Sequence, residues 1–186
     1  MILTTFLLSQ LAFCIEQKTL RLTKDDTNYE LQEEWLELKL ANVITITKTK
    51  FSRLHGSSNG GAVYIDRTYA IFDDCLFDSC YSKNGGALYI LYSTQVPYAC
   101  TFTNCQFNNN TATRNGGAIN INYNAIEKYV IIDGCTFTEN AANNGGAIYA
   151  IARDHFIIKS STFTNNSAKK AASLNCRIGP QNGGDQ

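Results

Sequence analysis

CTFTENAANNGGAIY, residues 135–149, is the stretch whose reading decides the fold. Its second half, NGGAIY (144–149), returns almost unchanged as NGGAVY (59–64), NGGALY (84–89) and NGGAIN (115–120). Its first half is anchored by Phe137, and Phe77 and Phe107 stand in nearly the same relation to their own glycine phrases, with Phe51 before them and Phe163 after. Recurrence every 26 to 30 residues marks a repeat architecture, in which no unit can bury its apolar face alone and each stacks on its neighbours.

Aligned on the five phenylalanines, the chain falls into columns. Two residues earlier stand Thr49, Cys75, Cys105, Cys135 and Ser161, and five earlier Ile46, Phe72, Phe102, Ile132 and Ile158. Seven earlier stand Ile44, Ala70, Cys100, Val130 and Phe156; three later, Leu54, Cys80, Asn110, Asn140 and Asn166. A unit holds two short strand-like runs, such as VIIDGCTF (130–137) and GAIYAI (146–151), rich in β-branched and aromatic residues and separated by Asn, Gly and Thr turns. Neither run has room for a helix. Such units read as coils whose strands pair with the next coil's at about 4.8 Å. The fold class expected is all-β: a right-handed, single-stranded parallel β-helix (solenoid) of about five coils.

The glycine pairs Gly60-Gly61, Gly85-Gly86, Gly116-Gly117 and Gly145-Gly146 let the backbone turn a corner through positive φ, and the preceding Asn tolerates left-handed geometry and can bond its own turn. In the strand that follows, Val63, Leu88, Ile119 and Ile148, then Ile65, Ile90, Ile121 and Ala150, are expected to face inward. Ala62, Ala87, Ala118 and Ala147 and the column Tyr64, Tyr89, Asn120 and Tyr149 are expected to face out. Asn110, Asn140 and Asn166 would form a ladder bonding side chain to backbone between coils. Cys75, Cys105 and Cys135 form no CxxC pair and read as a stack of small buried thiols, as Thr49 and Ser161 in the same column suggest, with a disulfide between adjacent coils the competing reading.

Composition bounds the rest. A chain of 186 residues with 44% hydrophobic residues supports one core, and 16 basic against 16 acidic residues offer no net field to attract nucleic acid. Residues 1–14 have the apolar length of a secretory signal peptide, with cleavage expected after Cys14; a lipoprotein signal presenting Cys14 and a buried first strand are the competing readings. The expected organisation is then a signal peptide over 1–14, an N-terminal capping coil over 15–43 anchored by Trp35, β-helix repeats over 44–175 and a polar tail over 176–186. Asn109 and Asn165 head N-x-S/T sequons and would accept glycans in a eukaryotic secretory pathway.

The pairing of FxxN with GGA[ILV], complete at Phe107, Asn110 and Gly116-Gly117-Ala118-Ile119 and again at Phe137, Asn140 and Gly145-Gly146-Ala147-Ile148, resembles the repeats of the chlamydial polymorphic outer membrane proteins and related β-helix repeat proteins. Cys80 and Leu54 depart from the pattern, and the last unit replaces the glycine phrase with Ala171-Ala172-Ser173-Leu174. The resemblance, over about residues 44–175, implies a secreted or cell-surface β-helix linked to adhesion. The family's bacterial members carry a C-terminal membrane barrel that residues 173–186 could not build, so an anchor domain beyond them is one expected partner and membrane insertion by this chain is not expected.

Parallel β-helices also include carbohydrate-active enzymes of pectate lyase and glycoside hydrolase type, which need acidic residues clustered on one face. The best such cluster is Asp73, Asp74 and Asp78, with Arg67 and Lys83 the nearest bases; Asp133 shares the column of Asp73, but Thr103 intervenes. Solvated turn carboxylates are the plainer reading. His55 and His155 have no partner at metal-ligand spacing, so no metal, no cofactor and no catalysis are expected. The coils differ most in one loop, short at residues 66–69 and 151–155 but long at 91–99 and 122–129. Solenoid insertions map to one face and often bind. Recognition of a surface protein or glycan on a host or neighbouring cell is therefore expected on that face and the tyrosines around it: Tyr64, Tyr89, Tyr149, Tyr92, Tyr98, Tyr123 and Tyr129.

Overall fold

The computed structural model describes residues 19–20, 31–32, 36–39, 44–66, 69–92, 100–123, 130–152 and 156–178. Every regular element among them is a strand. Apart from an antiparallel pair, Thr19–Leu20 with Leu31–Gln32, all strand pairings are parallel and join a strand to its counterpart one coil away. The chain is a parallel β-solenoid. From Ile44 to its counterpart Phe156 in the fifth layer it winds through about four full turns.

Each coil has four short strands, not two. A first sheet stacks Ile44–Thr47, Ala70–Asp73, Cys100–Thr103, Val130–Asp133 and Phe156–Lys159; a second stacks Lys50–Ser52, Leu76–Asp78, Gln106–Asn108, Thr136–Thr138 and Thr162–Thr164. A third joins Tyr81–Asn84, Thr111–Asn115, Ala141–Asn144 and Ser167–Lys170. The fourth carries the glycine phrase and stacks Leu36–Lys39, Val63–Asp66, Leu88–Tyr92, Ile119–Tyr123, Ile148–Ala152 and Leu174–Ile178. Runs such as VIIDGCTF are broken because one residue takes the left-handed conformation: Lys48, Asp74, Asn104, Gly134 and Ser160 between the first and second sheets, and Arg53, Ser79, Asn109, Glu139 and Asn165 between the second and third. Most of these are ordinary residues, held there at about 1–2 kcal/mol each. In all but the last layer their backbone N–H groups bond to the coil above, as Asp74 N–H to Thr103 O at 3.0 Å and Glu139 N–H to Thr164 O at 3.0 Å, which offsets that strain.

The columns read from the sequence are the observed register. Phe51, Phe77, Phe107, Phe137 and Phe163 stack with ring centroids 4.7–4.8 Å apart and planes within 3–4°. Phe72 stacks on Phe102 at 5.1 Å, and this second column meets the first edge to face, with Phe72 5.7 Å from Phe77. Such ring pairs contribute about 0.5–1.5 kcal/mol beyond the area they bury. Of the expected cap, Leu36–Lys39 begins the fourth sheet against Val63–Asp66. Trp35, residues 1–14 and residues 179–186 lie outside the described residues.

The two glycines of each corner differ in role. The first has φ of +61° to +68° at Gly60, Gly85, Gly116 and Gly145, the left-handed turn expected of the pair. The second does not need positive φ; it is glycine because two backbones nearly touch. A Cβ on Gly86 would lie 2.0 Å from Gly117 O and 2.7 Å from Thr111 N, both one coil up. Gly61, Gly117 and Gly146 meet the same obstruction. The last described coil has Ala171 and Ala172 here, Ala171 at φ +52°, and no described strand stacks on that layer. At the second position the pattern of contacts explains why Ala172 is admitted: the clash at Gly61, Gly86, Gly117 and Gly146 is with the coil above.

Two expectations about this corner are corrected. Ala62, Ala87, Ala118 and Ala147 do not face solvent but are fully buried members of the core. The tight approach of the glycine corner to the neighbouring backbone encloses them. The Asn before each glycine pair bonds along the stack rather than within its own turn: Asn84 Nδ2 donates to Asn59 Oδ1 at 2.9 Å, Asn115 Nδ2 to Asn84 Oδ1 at 3.3 Å and Asn144 Nδ2 to Asn115 Oδ1 at 2.8 Å.

Candidate functional site

The tyrosine face is built by the fourth sheet, whose strands keep Tyr64, Tyr89, Asn120, Tyr149 and Asn175 in one column. Parallel in-register pairing brings identical positions to one strand spacing, and Tyr64 and Tyr89 stack with centroids 5.4 Å apart at 5°. The column is more enclosed than an open outer face: Tyr89 and Tyr149 are 8% exposed and Asn120 only 3%. Asn122 Nδ2 donates to the Tyr89 hydroxyl at 3.2 Å, and Asn120 Nδ2 donates to Asn115 O at 3.4 Å, drawing the column against the glycine corner. Tyr64 is half-buried. Tyr92 pairs in register with Tyr123 at the end of the same sheet. Tyr98, Tyr129 and the long loops at 93–99 and 124–129 lie outside the described residues, as does His155.

The remaining candidates separate. Asp73, Thr103 and Asp133 follow one another in register as expected, so the two carboxylates are not neighbours. Asp133 instead meets Lys159 at 3.0 Å, a solvent-screened pair. Among the described residues no group of three or more His, Cys, Asp or Glu side chains could hold a metal ion. His55 leans on Tyr81 with ring centroids 5.3 Å apart. Asn109 and Asn165 both occupy the left-handed corner after the second sheet and are exposed. The middle residues of those sequons, Asn110 and Asn166, turn the other way, into the interior ladder.

That ladder is the strongest polar feature inside the solenoid. Asn110 Oδ1 accepts from Cys80 N–H at 2.9 Å, and its Nδ2 donates to Phe77 O at 3.0 Å. Asn140 repeats the pattern one coil up, with Oδ1 accepting from Asn110 N–H at 3.0 Å and Nδ2 donating to Phe107 O at 2.9 Å. Asn166 Oδ1 then accepts from Asn140 N–H at 3.0 Å. Each rung fills the need of backbone groups that the turn leaves without a sheet partner.

The cysteine column runs beside it. Cys75, Cys80, Cys105 and Cys135 are buried free thiols. The thiols of Cys75, Cys105 and Cys135 donate to carbonyls of the coil below, as Cys105 Sγ to Phe72 O at 3.5 Å. Burial pushes the Cys80 thiol up to about 12. Cys105 is driven well above the ordinary thiol range because it holds its proton between Cys135 and Cys75, burial adding to this. Hydrogen bonding from Cys105 lowers the two outer thiols. With its folded value raised, Cys80 favours the folded state fully below the ordinary value of 9.0 and progressively less as pH rises from there toward about 12. Titration of the folded chain with a chromogenic disulfide reagent near neutral pH should leave these four thiols unreacted while the urea-unfolded chain reacts completely. Prompt labelling of Cys105 in the folded chain would show that the column is open.

The glycine corner, the FxxN ladder and their fixed spacing together form the repeat on which two coils match. The Chlamydia polymorphic membrane protein repeat matches residues 104–122 and 134–151. Those two coils are similar to that repeat, carried here on a parallel β-solenoid. No curated protein and no solved structure matches the chain. The matched segments begin at the left-handed corner before the cysteine column, at Asn104 and Gly134. They run through the Asn rung and the glycine pair into the fourth sheet, so they span three of the four strands of a coil. Two polar features were missed from the sequence: the second Asn ladder at Asn59, Asn84, Asn115 and Asn144, and the enclosure of the tyrosines. The first had a signal in the strict Asn before each Gly-Gly; the second had none, because burial of an outward column depends on what folds over it.

Proposed function

We propose that this chain is a surface-displayed, non-catalytic recognition module, in which the solenoid is a rigid mount and the long-loop face binds a protein or glycan on a host or neighbouring cell. The observation that carries the reading is where the coils agree and where they differ. Inward positions repeat in kind from coil to coil, while outward positions in the same strands do not: the column Lys50, Leu76, Gln106, Thr136 and Thr162 changes chemistry at most steps. Variation laid over an unchanging frame suits contact with a partner, whereas catalysis calls for a few groups converging on one point. The separation of Asp73 from Asp133 and the match to a surface-protein repeat support the same reading. The tyrosines support it in two ways: Tyr64 as a contact residue, and Tyr89 and Tyr149 as a stiff part of the strands that lead into the loops.

Replacing residues 91–99 with a four-residue turn is expected to abolish attachment of the purified chain to target cells while leaving the β-sheet circular dichroism signal intact. Unchanged attachment would remove the loop face from the reading. Release of product from a mixed polysaccharide panel, lost in Asp73→Ala with Asp74→Ala, would replace recognition by carbohydrate-active catalysis.

A further inference from the structure

We propose that Asn59-Gly60, Asn84-Gly85, Asn115-Gly116 and Asn144-Gly145 are latent deamidation sites that coil stacking holds shut, so that the chain records an excursion from its folded state as permanent carboxylates along one edge of the solenoid. The chemistry belongs to the dipeptide. The nitrogen of the glycine, unhindered by any Cβ, attacks the Cγ of the preceding Asn side chain. A C–N bond forms, the bond from Cγ to the side-chain nitrogen breaks, and ammonia leaves with the proton that the glycine nitrogen gives up. Water then opens the five-membered imide at one carbonyl or the other, yielding aspartate or isoaspartate. One water enters, one ammonia leaves, and no oxidant or enzyme is required.

The fold withholds both reacting groups, and does so in opposite directions. The glycine N–H groups donate upward, Gly60 to Asn84 O at 2.9 Å, Gly85 to Asn115 O at 2.8 Å, Gly116 to Asn144 O at 2.9 Å and Gly145 to Lys170 O at 2.9 Å. The side-chain amides of Asn84, Asn115 and Asn144 donate downward, each to the Oδ1 of the rung below, at 2.8–3.3 Å, while Asn59 begins the ladder and accepts. At Asn84, Asn115 and Asn144 nucleophile and electrophile are thus tied to different neighbouring coils, and the glycines themselves are buried. Attack requires that a coil separate from the stack. Asn84 and Asn115 are bonded on both sides, whereas Asn144 ends the ladder because Lys170 stands on the next rung.

The reaction is also hard to reverse structurally. An aspartate at rung 84 cannot donate to Asn59 and sets a carboxylate against that residue's Oδ1. Isoaspartate lengthens the backbone in a corner where an added Cβ on Gly85 would already lie 1.9 Å from Leu88 O.

The test incubates the full chain in mildly alkaline buffer, folded and in urea, and maps the products by peptide mass spectrometry with enzymatic methylation of isoaspartate. All four sites should convert in urea. In the folded chain Asn84 and Asn115 should convert more slowly by a factor of about 100 at least, the factor reporting how seldom the corner opens. Conversion of Asn84 and Asn115 at the unfolded rate in the folded chain would overturn the proposal. Asn84→Asp, made directly, should melt at lower temperature or fail to fold; an unchanged melting temperature would overturn the claim that the product no longer fits the ladder.

Discussion

Gly117→Ala is expected to be among the most damaging single substitutions in this chain, costing about 4–5 kcal/mol or more out of the 5–15 kcal/mol typical of a domain. The added Cβ would lie 2.0 Å from Gly146 O, 2.6 Å from Ala141 N and 2.7 Å from Ala141 O. All three are backbone atoms held in place by further coils, so no side-chain rotation relieves the contact. Gly116→Ala should be comparably damaging, because its Cβ would lie 2.1 Å from Ile119 O within its own coil, on top of the left-handed conformation at φ +64°. Ala172→Gly is the control, with an effect below about 1 kcal/mol, because no described strand lies above it. Urea denaturation followed by circular dichroism measures all three. A Gly117→Ala protein as stable as wild type would mean that the coils can move apart at the corner and that backbone contact does not set the second glycine.

Asn140→Ala should rank beside it, at about 2–5 kcal/mol, because it leaves buried polar groups without partners rather than merely removing a bond. Asn140 is fully buried, and its side chain donates to Phe107 O at 2.9 Å and to Asn166 Oδ1 at 2.9 Å. Its Oδ1 accepts from the backbone N–H and the side chain of Asn110, both at 3.0 Å. Truncation strands groups in two neighbouring coils at once, so thermal unfolding should lose cooperativity as well as shift downward. A loss under about 1 kcal/mol would indicate that water enters and replaces the rung. Cys80→Asn is the informative inverse: Cys80 already stands in the ladder column, and restoring Asn there should be neutral or stabilising.

Much of this molecule was legible before any coordinates. Stacking places equivalent residues one strand spacing apart, so whatever works at Phe107 works again at Phe137, and selection for the same contact writes the same letter. The register, the phenylalanine columns, the interior Asn ladder and the buried thiols all followed from that repetition. The corners did not. Lys48, Arg53 and Glu139 carry no mark of a left-handed turn, because any residue adopts one at modest cost when its N–H gains a partner in the next coil. Runs that read as single strands therefore fold into two.

The candidate site was legible only in outline. The tyrosine column was read as one outward position of the strand after the glycine pair, and it is one register position of the fourth sheet, yet Tyr89 and Tyr149 are almost closed off. Strand alternation says which side of a sheet a residue takes and nothing about what then packs over it. The same limit applied to Ala62, Ala87, Ala118 and Ala147, whose outward phase was outweighed by the closeness of the neighbouring backbone.

By itself the sequence determined that the chain is a stack of like coils, and which residues share a column, because both are properties of spacing along one dimension. Only the tertiary structure decided how many faces a coil has, why the second glycine of each pair admits no side chain, and why the last coil can write Ala172 there. Those depend on backbone atoms of a neighbouring coil lying about 2 Å from where a side chain would begin, a distance between segments far apart in the chain.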